Sequence, residues 1–411
     1  MLLDEDVPNG VKYINKLNKI RVITLIRNNK GISRAQIAKM SGLSAPTVSR
    51  IVEDLIKQGL VREMGEGESK GGRRPKMLEF SGKHNFIIGV DLGTTNIYGV
   101  LSDFDAKIHA EVKVPTKVEE GFIKIMGRTS EVIRELLNHL DKSGEKIYGI
   151  GMAVAGLINR KRNIVEFSPD FHWHNVDVAG ELAKTVDMPI IFDNVTRVMA
   201  FGEMCYGVGQ SHKNFIVVNV GYGIGAGIII DGMPLYGPTG MAGEFGHITL
   251  DKDSKVQCDC GNFGCLEALA SGNAIAKAAH NGLRSGATSM LLEMSQGDPS
   301  KVTAQMVAEA AKHGDTLAWG VFDRAMEYLG IGIANLINLF SPEVVVIGGG
   351  VAQAGDIFFE KIRKTVLARG LNKIISGVDI RPATFGMQAA VMGAVSLVLS
   401  DVISHGGEAP R

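Results

Sequence analysis

Three cysteines, Cys258, Cys260 and Cys265, fall in a Cys-x-Cys-x4-Cys pattern, with His247 a short way before them. Three thiolates and one imidazole can close a tetrahedral shell around zinc with no position left for water. The pattern therefore predicts a structural Zn2+ ion, not a hydrolytic one. Gly261 and Gly264 let so short a loop fold back on the ion. A disulfide framework is disfavoured in a long chain with four cysteines, and Cys205, which stands apart, reads as a core residue. Glu244 lies three positions before His247, and Glu267 follows the loop, so closing the loop brings Glu244, His247 and Glu267 together. The metal would hold one ring nitrogen of His247 and leave the other available. Fixed carboxylates and an imidazole on a frame that resists collapse are what a polyhydroxyl ligand requires.

A second set of chemically suggestive residues lies near the N-terminus. Ile14, Leu17, Ile20, Ile23 and Ile26 recur at near-helical spacing and predict a first helix over 11–29. Ser33 and Gln36 form a capping-box pattern that opens a second helix through Met40, and Gly42 makes the turn. Ser44 is the expected N-cap of a third helix, with Pro46 in its first turn. There Val48, Ile51, Val52 and Leu55 point inward, leaving Ser44, Thr47, Ser49 and Arg50 near the exposed end. This is helix-turn-helix geometry, in which the start of the second motif helix reaches base edges. Two strands around a glycine-rich tip at 65–72 then read as a wing, with Arg73 and Arg74 placed for phosphate or a minor groove. The expected partner is double-stranded operator DNA.

A glycine hairpin at 86–103 is repeated at 214–231, so that Gly93 matches Gly221, Gly99 matches Gly227 and Asp103 matches Asp231. A repeat of this size implies two lobes of similar topology. Glycine turns of this kind let backbone N–H groups approach a phosphate. Val344–Gly350 adds a third strand-to-glycine junction. With the zinc pattern, these segments resemble the ROK family of repressors and sugar kinases over about 86–400, and the N-terminal head matches its repressor branch. The resemblance implies an α/β fold: a winged helix-turn-helix followed by a two-lobed, actin-like (ribonuclease H-like) ROK domain. Asp91, Gly93 and Thr94 look like its first phosphate motif, Gly221, Gly223 and Gly225 like its second, and Gly348 and Gly349 like its adenosine motif. The same resemblance makes His247, Cys258, Cys260 and Cys265 the zinc ligands. It assigns Asp170, Asn194, Glu244, His247 and Glu267 to sugar hydroxyls.

The kinases of the family carry an Asp general base one position after the residue matched by Asn194, and here that position is Val195. Valine accepts no proton, and general-base catalysis contributes typically about 10²–10⁴-fold. Arg197 replaces a second Asn, Tyr222 stands for a Thr, and Asp193 is two positions out of register. The resemblance therefore implies a sugar sensor that lacks kinase activity and catalytic residues. ATP binding stays open, since glycine hairpins persist as scaffold after catalysis is lost. Asp170 replaces an Asn of the family, which leaves glucose, xylose and N-acetylated hexosamines all open as effector.

Residues 1–85 hold 16 Lys and Arg against 9 Asp and Glu, a net of +7, and the remainder balances it to a total of +0. A basic head beside an acidic body fits a polyanion-binding module on a domain with another task. The expected division is 1–82 for the head, 83–195 and 196–385 for the two lobes, and 386–411 for a C-terminal helix packing back on the first lobe. The start lacks a signal-peptide pattern, and the apolar run at 215–230 is broken by glycines, so no membrane partner and a cytoplasmic location are expected. A homodimer or tetramer would present paired recognition helices. Sugar in the cleft would favour closed lobes and lower operator affinity. The rivals are a bifunctional ATP-dependent sugar kinase, and a repressor controlled by a partner protein.

Overall fold

The computed structural model describes residues 10–67, 74–140 and 145–410, and Arg73 with most of the wing tip lies outside them. The chain forms two compact units: Met1–Val154 with Val178–Phe192 and Ala394–Arg411, and Ala155–Asp177 with Asp193–Gly393. The boundary differs from the sequence division at 155–177, which clusters with the second unit. The reason is local: the carbonyl of Gly156 accepts the Asn194 amide at 3.0 Å, and the Arg160 guanidinium stacks 3.9 Å from the Tyr236 ring.

In the head, the helix Gly10–Asn28 buries Val22, Ile23 and Ile26, while Ile14 and Leu17 near its start remain 57% and 46% exposed. The apolar stripe therefore contributes to the core only in the last turns. Ser33 opens Arg34–Ser41 with a complete capping box, its N–H donating to Gln36 Oε1 at 2.9 Å. Gly42 at φ +69 ends that helix in the left-handed region. Ser44 caps Ala45–Lys57, whose Val48, Ile51, Val52 and Leu55 are buried. The strands Ile32–Ser33, Val61–Glu66 and Lys76–Phe80 complete a winged helix, with Lys76–Phe80 in the middle of its sheet.

The first unit carries on through Asn85–Leu92 and Asn96–Asp103, an antiparallel hairpin, with Lys146–Val154 added in parallel. Ile108–Pro115 extends the other edge, and the helix Phe122–Leu137 lies on one face. The second unit repeats the scheme: Phe215–Val220 and Ile224–Ile230 form a hairpin, and Val344–Gly348 joins it in parallel. Its core gathers Val218, Ile224 and Ile228 against Phe322, Leu329 and Ile333 of the helix Thr316–Phe340.

The two hairpins differ by one step of pairing. In the first, Leu92 faces Ile97 and Gly99 faces Val90. In the second, Val220 faces Ile224 and Gly227 faces Val217. A Cβ on Gly99 would meet Val132 at 2.6 Å, on the helix Phe122–Leu137. One on Gly227 would meet the Thr196 carbonyl at 2.6 Å, on the helix Val195–Tyr206.

The C-terminal helix Ala389–Ser404 is strongly apolar. The stretch Gly386–Ser404 is long and apolar enough to cross a membrane, but 61% of its apolar window is buried in the protein. It reads as a core helix. Beyond it, Gly407 lies so close to the head that a Cβ would meet Leu60 at 2.4 Å.

Candidate functional site

The metal loop is built by short-range backbone pairing. Cys258 N–H donates to the Asn262 carbonyl at 2.8 Å, and Thr249 bridges Cys265 in antiparallel fashion. Gly264, at φ +68, passes so near Asp251 that a Cβ would lie 1.9 Å from its carbonyl oxygen. The loop thus closes, and His247, Cys258, Cys260 and Cys265 place one donor atom each within 4.8 Å of one another. His247 Nδ1 is 3.7 Å from Cys258 Sγ, and Cys260 Sγ is 3.8 Å from Cys265 Sγ. A tetrahedral zinc with Zn–S bonds of about 2.3 Å separates its sulfurs by about 3.8 Å, so the donors fit that ion. Burial pushes the Cys258 thiol up to about 12, so a nearby cation is needed to keep this sulfur a thiolate at neutral pH.

Because Nδ1 faces the sulfurs, His247 keeps Nε2 for another partner. Glu244 begins the same one-turn segment, with the His247 N–H donating to its carbonyl at 3.1 Å. Glu267 opens the helix Leu266–Ala270, and its Oε2 accepts the Ile224 N–H at 2.7 Å. Burial raises the Glu244 carboxyl above its ordinary value, with His247 and Arg197 opposing and Glu267 adding to it. Burial likewise lifts Asp170 to about 6, helped by the charges of Glu267 and Asp259. Asp170, Glu244, His247 and Glu267 therefore share one electrostatic neighbourhood. Asn194 anchors the start of the next helix: its Oδ1 caps Val195–Tyr206 at Thr196 N–H, 3.0 Å, and its Nδ2 holds Gly156, which leaves one donor and one acceptor site on the amide.

Sequence reading missed what surrounds Val195. Arg197 donates from Nε and Nη2 to Asp193 Oδ1 at 2.9 and 2.7 Å, with both side chains buried. Its Nη1 reaches the Ala242 carbonyl at 3.1 Å, two residues before Glu244. Arg160 Nη1 stands 3.8 Å from Asp193 Oδ2. Asp193 is thus neutralised inside an arginine clamp. Only the lone replacement of Asn by Arg197 signalled this from sequence.

The glycines read as phosphate motifs have local packing reasons. A Cβ on Gly223 would meet Glu267 at 2.4 Å, and one on Gly225 would meet Thr196 at 2.5 Å. Gly348 lies against Met199, and Gly349, at φ +92, against Asn219 and the Val220 carbonyl. Gly221 is open enough to accept a side chain, and its carbonyl accepts the Gly272 N–H at 2.9 Å. In the first unit, the Gly93 carbonyl accepts the Thr116 hydroxyl at 2.6 Å, and Thr94 is half-buried beside it. Burial raises Asp91 there to about 7, with Lys113 opposing.

On the head, Ser44 and Thr47 are hydroxyl-bonded to each other at 2.8 Å at the mouth of the recognition helix. Ser49 is half-buried, Arg50 is exposed and reaches Asn15 at 3.3 Å, and Arg74 is exposed at the base of the wing.

Comparison with known proteins agrees with this anatomy. The ROK family matches residues 87–401, and a winged helix-turn-helix DNA-binding family matches 17–62. The xylose repressor of Caldicellulosiruptor bescii is 34% identical over 391 residues, covering 95% of this chain and 97% of that protein. The glucokinase of Thermotoga maritima is 34% identical over 314 residues, 76% of this chain and 96% of the enzyme. A crystal structure of a ROK family transcriptional regulator, a homolog of the E. coli MLC protein, superposes with a TM-score of 0.82 at 28% identity. That match covers 96% of this chain and 98% of the other. With a winged head and both lobes accounted for, the chain belongs to the ROK family.

Proposed function

We propose that this chain is a sugar-responsive, operator-binding transcriptional repressor of carbohydrate-metabolism genes, released from DNA when a sugar occupies the second unit. One observation carries the reading. Asp170, Glu244, Glu267 and the Nε2 of His247 converge on a closed metal loop in a chain that also bears a winged-helix head. Zinc holds His247, Cys258, Cys260 and Cys265 as a structural ion. The named xylose-repressor relative supports both the repressor role and a sugar effector. Operator contact falls to Thr47, Ser49, Arg50 and Arg74, with Ser44 fixing the helix start. The protein acts in the cytoplasm as a homodimer or tetramer whose paired heads match two half-sites. Effector and operator binding oppose each other through a coupling of about 1–3 kcal/mol.

The deciding experiment is a fluorescence-anisotropy titration onto operator DNA at fixed salt, with and without a panel of sugars. Glu244→Gln and Glu267→Gln should keep DNA affinity and lose the sugar effect. His247 is left alone because it also ligates the metal. Release of DNA by sugar from both variants would overturn the assignment of the pocket.

The glucokinase relative keeps a second reading in play, a sugar kinase that also binds DNA. Val195 at the general-base position and the Asp193–Arg197 clamp weigh against it. Sugar-dependent ADP release from ATP above background by the wild-type chain would reverse that judgement.

A further inference from the structure

Beside the carboxylates lies a cavity of about 380 Å³ that a single sugar ring does not account for. Asp170 and Glu267 line it, and so do polar residues of two helices, one that follows the metal loop closely and one that lies farther along the chain. Asn273, Lys277 and Asn281 recur every four positions on Gly272–Arg284, which puts them on one helical face. Arg324 and Tyr328 are spaced likewise on Thr316–Phe340. The helix Gly272–Arg284 starts at the sugar end of the cavity: Asn273 N–H donates to the Tyr222 carbonyl at 3.3 Å, and Tyr222 neighbours Asp170 and Glu267 electrostatically. Eight residues at the helical rise carry the lining from Asn273 to Asn281 over about 12 Å. A pyranose ring built from bonds of about 1.5 Å, with its hydroxyls, spans about half of that.

We infer that this cavity is a second saccharide subsite, and that the effector class is a disaccharide or longer neutral oligosaccharide. The inference rests on the sugar-binding reading of Asp170 and Glu267. Among the described residues, no protein hydrogen bond occupies the side chains of Asp170, Asn273, Lys277, Asn281 or Arg324. The lining thus offers both donors and acceptors, the mixture that hydroxyl groups satisfy. Tyr222, 53% exposed, supplies an aromatic surface at the entrance. Tyr328 donates its hydroxyl to Asp251 at 3.1 Å, which fixes its ring in the wall. Charge selects the class. Asp170, Asp251, Asp259 and Glu267 outnumber Lys277 and Arg324 in the lining, which disfavours phosphorylated or uronic sugars.

The test is operator release followed by anisotropy, with matched probes: xylose against xylobiose, and glucose against cellobiose, each titrated on the full-length protein. Xylose 5-phosphate and glucuronic acid serve as charged probes. One disaccharide should act at a concentration at least tenfold below that of its monosaccharide. Ala278→Trp, which fills the cavity from an exposed helical position, and Asn281→Ala should remove that advantage and leave operator affinity and the monosaccharide response unchanged. Equal potency of monosaccharide and disaccharide would overturn the subsite and leave the sugar-sensor reading intact. Silence of all sugars on a chain that still binds DNA would overturn both. A charged sugar stronger than every neutral one would overturn the ligand class.

Discussion

Arg197 donates two hydrogen bonds to one oxygen of Asp193, and neither side chain is more than 3% exposed. Both bonds fall on Oδ1, and Oδ2 faces the Arg160 guanidinium at 3.8 Å. Removing one member of such a pair leaves a buried charge uncompensated, at a cost of about 3–5 kcal/mol. Asp193→Ala strands Arg197 and weakens the hold on Arg160, so it should destabilise more than Arg197→Ala, in which Arg160 still stands 3.8 Å from the carboxylate. Urea unfolding of the two variants would rank them, and the reverse order would contradict the clamp.

Metal content is the next measurable quantity. The protein as purified should carry about one zinc per chain by atomic emission, and Cys260→Ser should lose most of it. The same variant should lose its sugar response, because Glu244 and Glu267 flank the loop that the ion closes. Retention of full sugar response by a metal-free protein would separate the two sites. Acid should release the ion, since protons compete for the thiolates and for His247.

Asp91 gives a pH prediction with a definite sign. Burial raises its pKa from 3.8 to about 7, so the folded chain binds the proton more tightly than the unfolded chain does. This carboxyl therefore lowers stability increasingly as pH rises from about 4, and the penalty is complete above about 7. Asp91→Asn should raise the melting temperature at pH 8, by an effect on the order of 2 kcal/mol, and leave it unchanged near pH 3.5. Scanning calorimetry across that range would show whether the two curves converge on acidification.

DNA contact can be read from salt dependence. If Arg74 meets phosphate, Arg74→Ala should weaken operator and random DNA alike and reduce the slope of log affinity against log salt by about 1. Thr47, on the recognition helix, should behave differently, with Thr47→Ala costing about 1–3 kcal/mol on operator only. An unchanged slope in Arg74→Ala would remove that residue from the interface.

Packing against the second hairpin is tested by Gly227→Ala. Its methyl would sit 2.6 Å from the Thr196 carbonyl, and overpacking of this kind costs about 1–3 kcal/mol. A neutral effect in thermal unfolding would mean that the helix Val195–Tyr206 can shift away from the strand.

Much of this was legible before any coordinates. Capping by Ser33 and Ser44 is a local event, written in residues three apart, and it appears as read. The four metal donors lie in one short stretch, so loop closure alone unites them. Asp170 is different, since it reaches Glu267 only through the fold, and its place followed from family resemblance. Asn194 also came from that resemblance, and its amide uses one acceptor site on a helix cap and one donor on Gly156. Asp193 and Arg197 stand only four apart, but Arg160 on Asp193 and the wall formed by Asn281 and Arg324 join residues distant in sequence, and no spacing rule announces such pairs.

The duplicated hairpins carry a warning about likeness within one chain. Gly99 and Gly227 occupy matching positions in the repeat, yet the one-step change in strand pairing sets them against helices that come from different places in the two lobes. In a pleated sheet a shift of one residue exchanges the faces. The shorter turn of the second hairpin, in other words, puts its return strand one residue out of phase, so that Ala226 and not Gly227 sits opposite the residue that matches Val90.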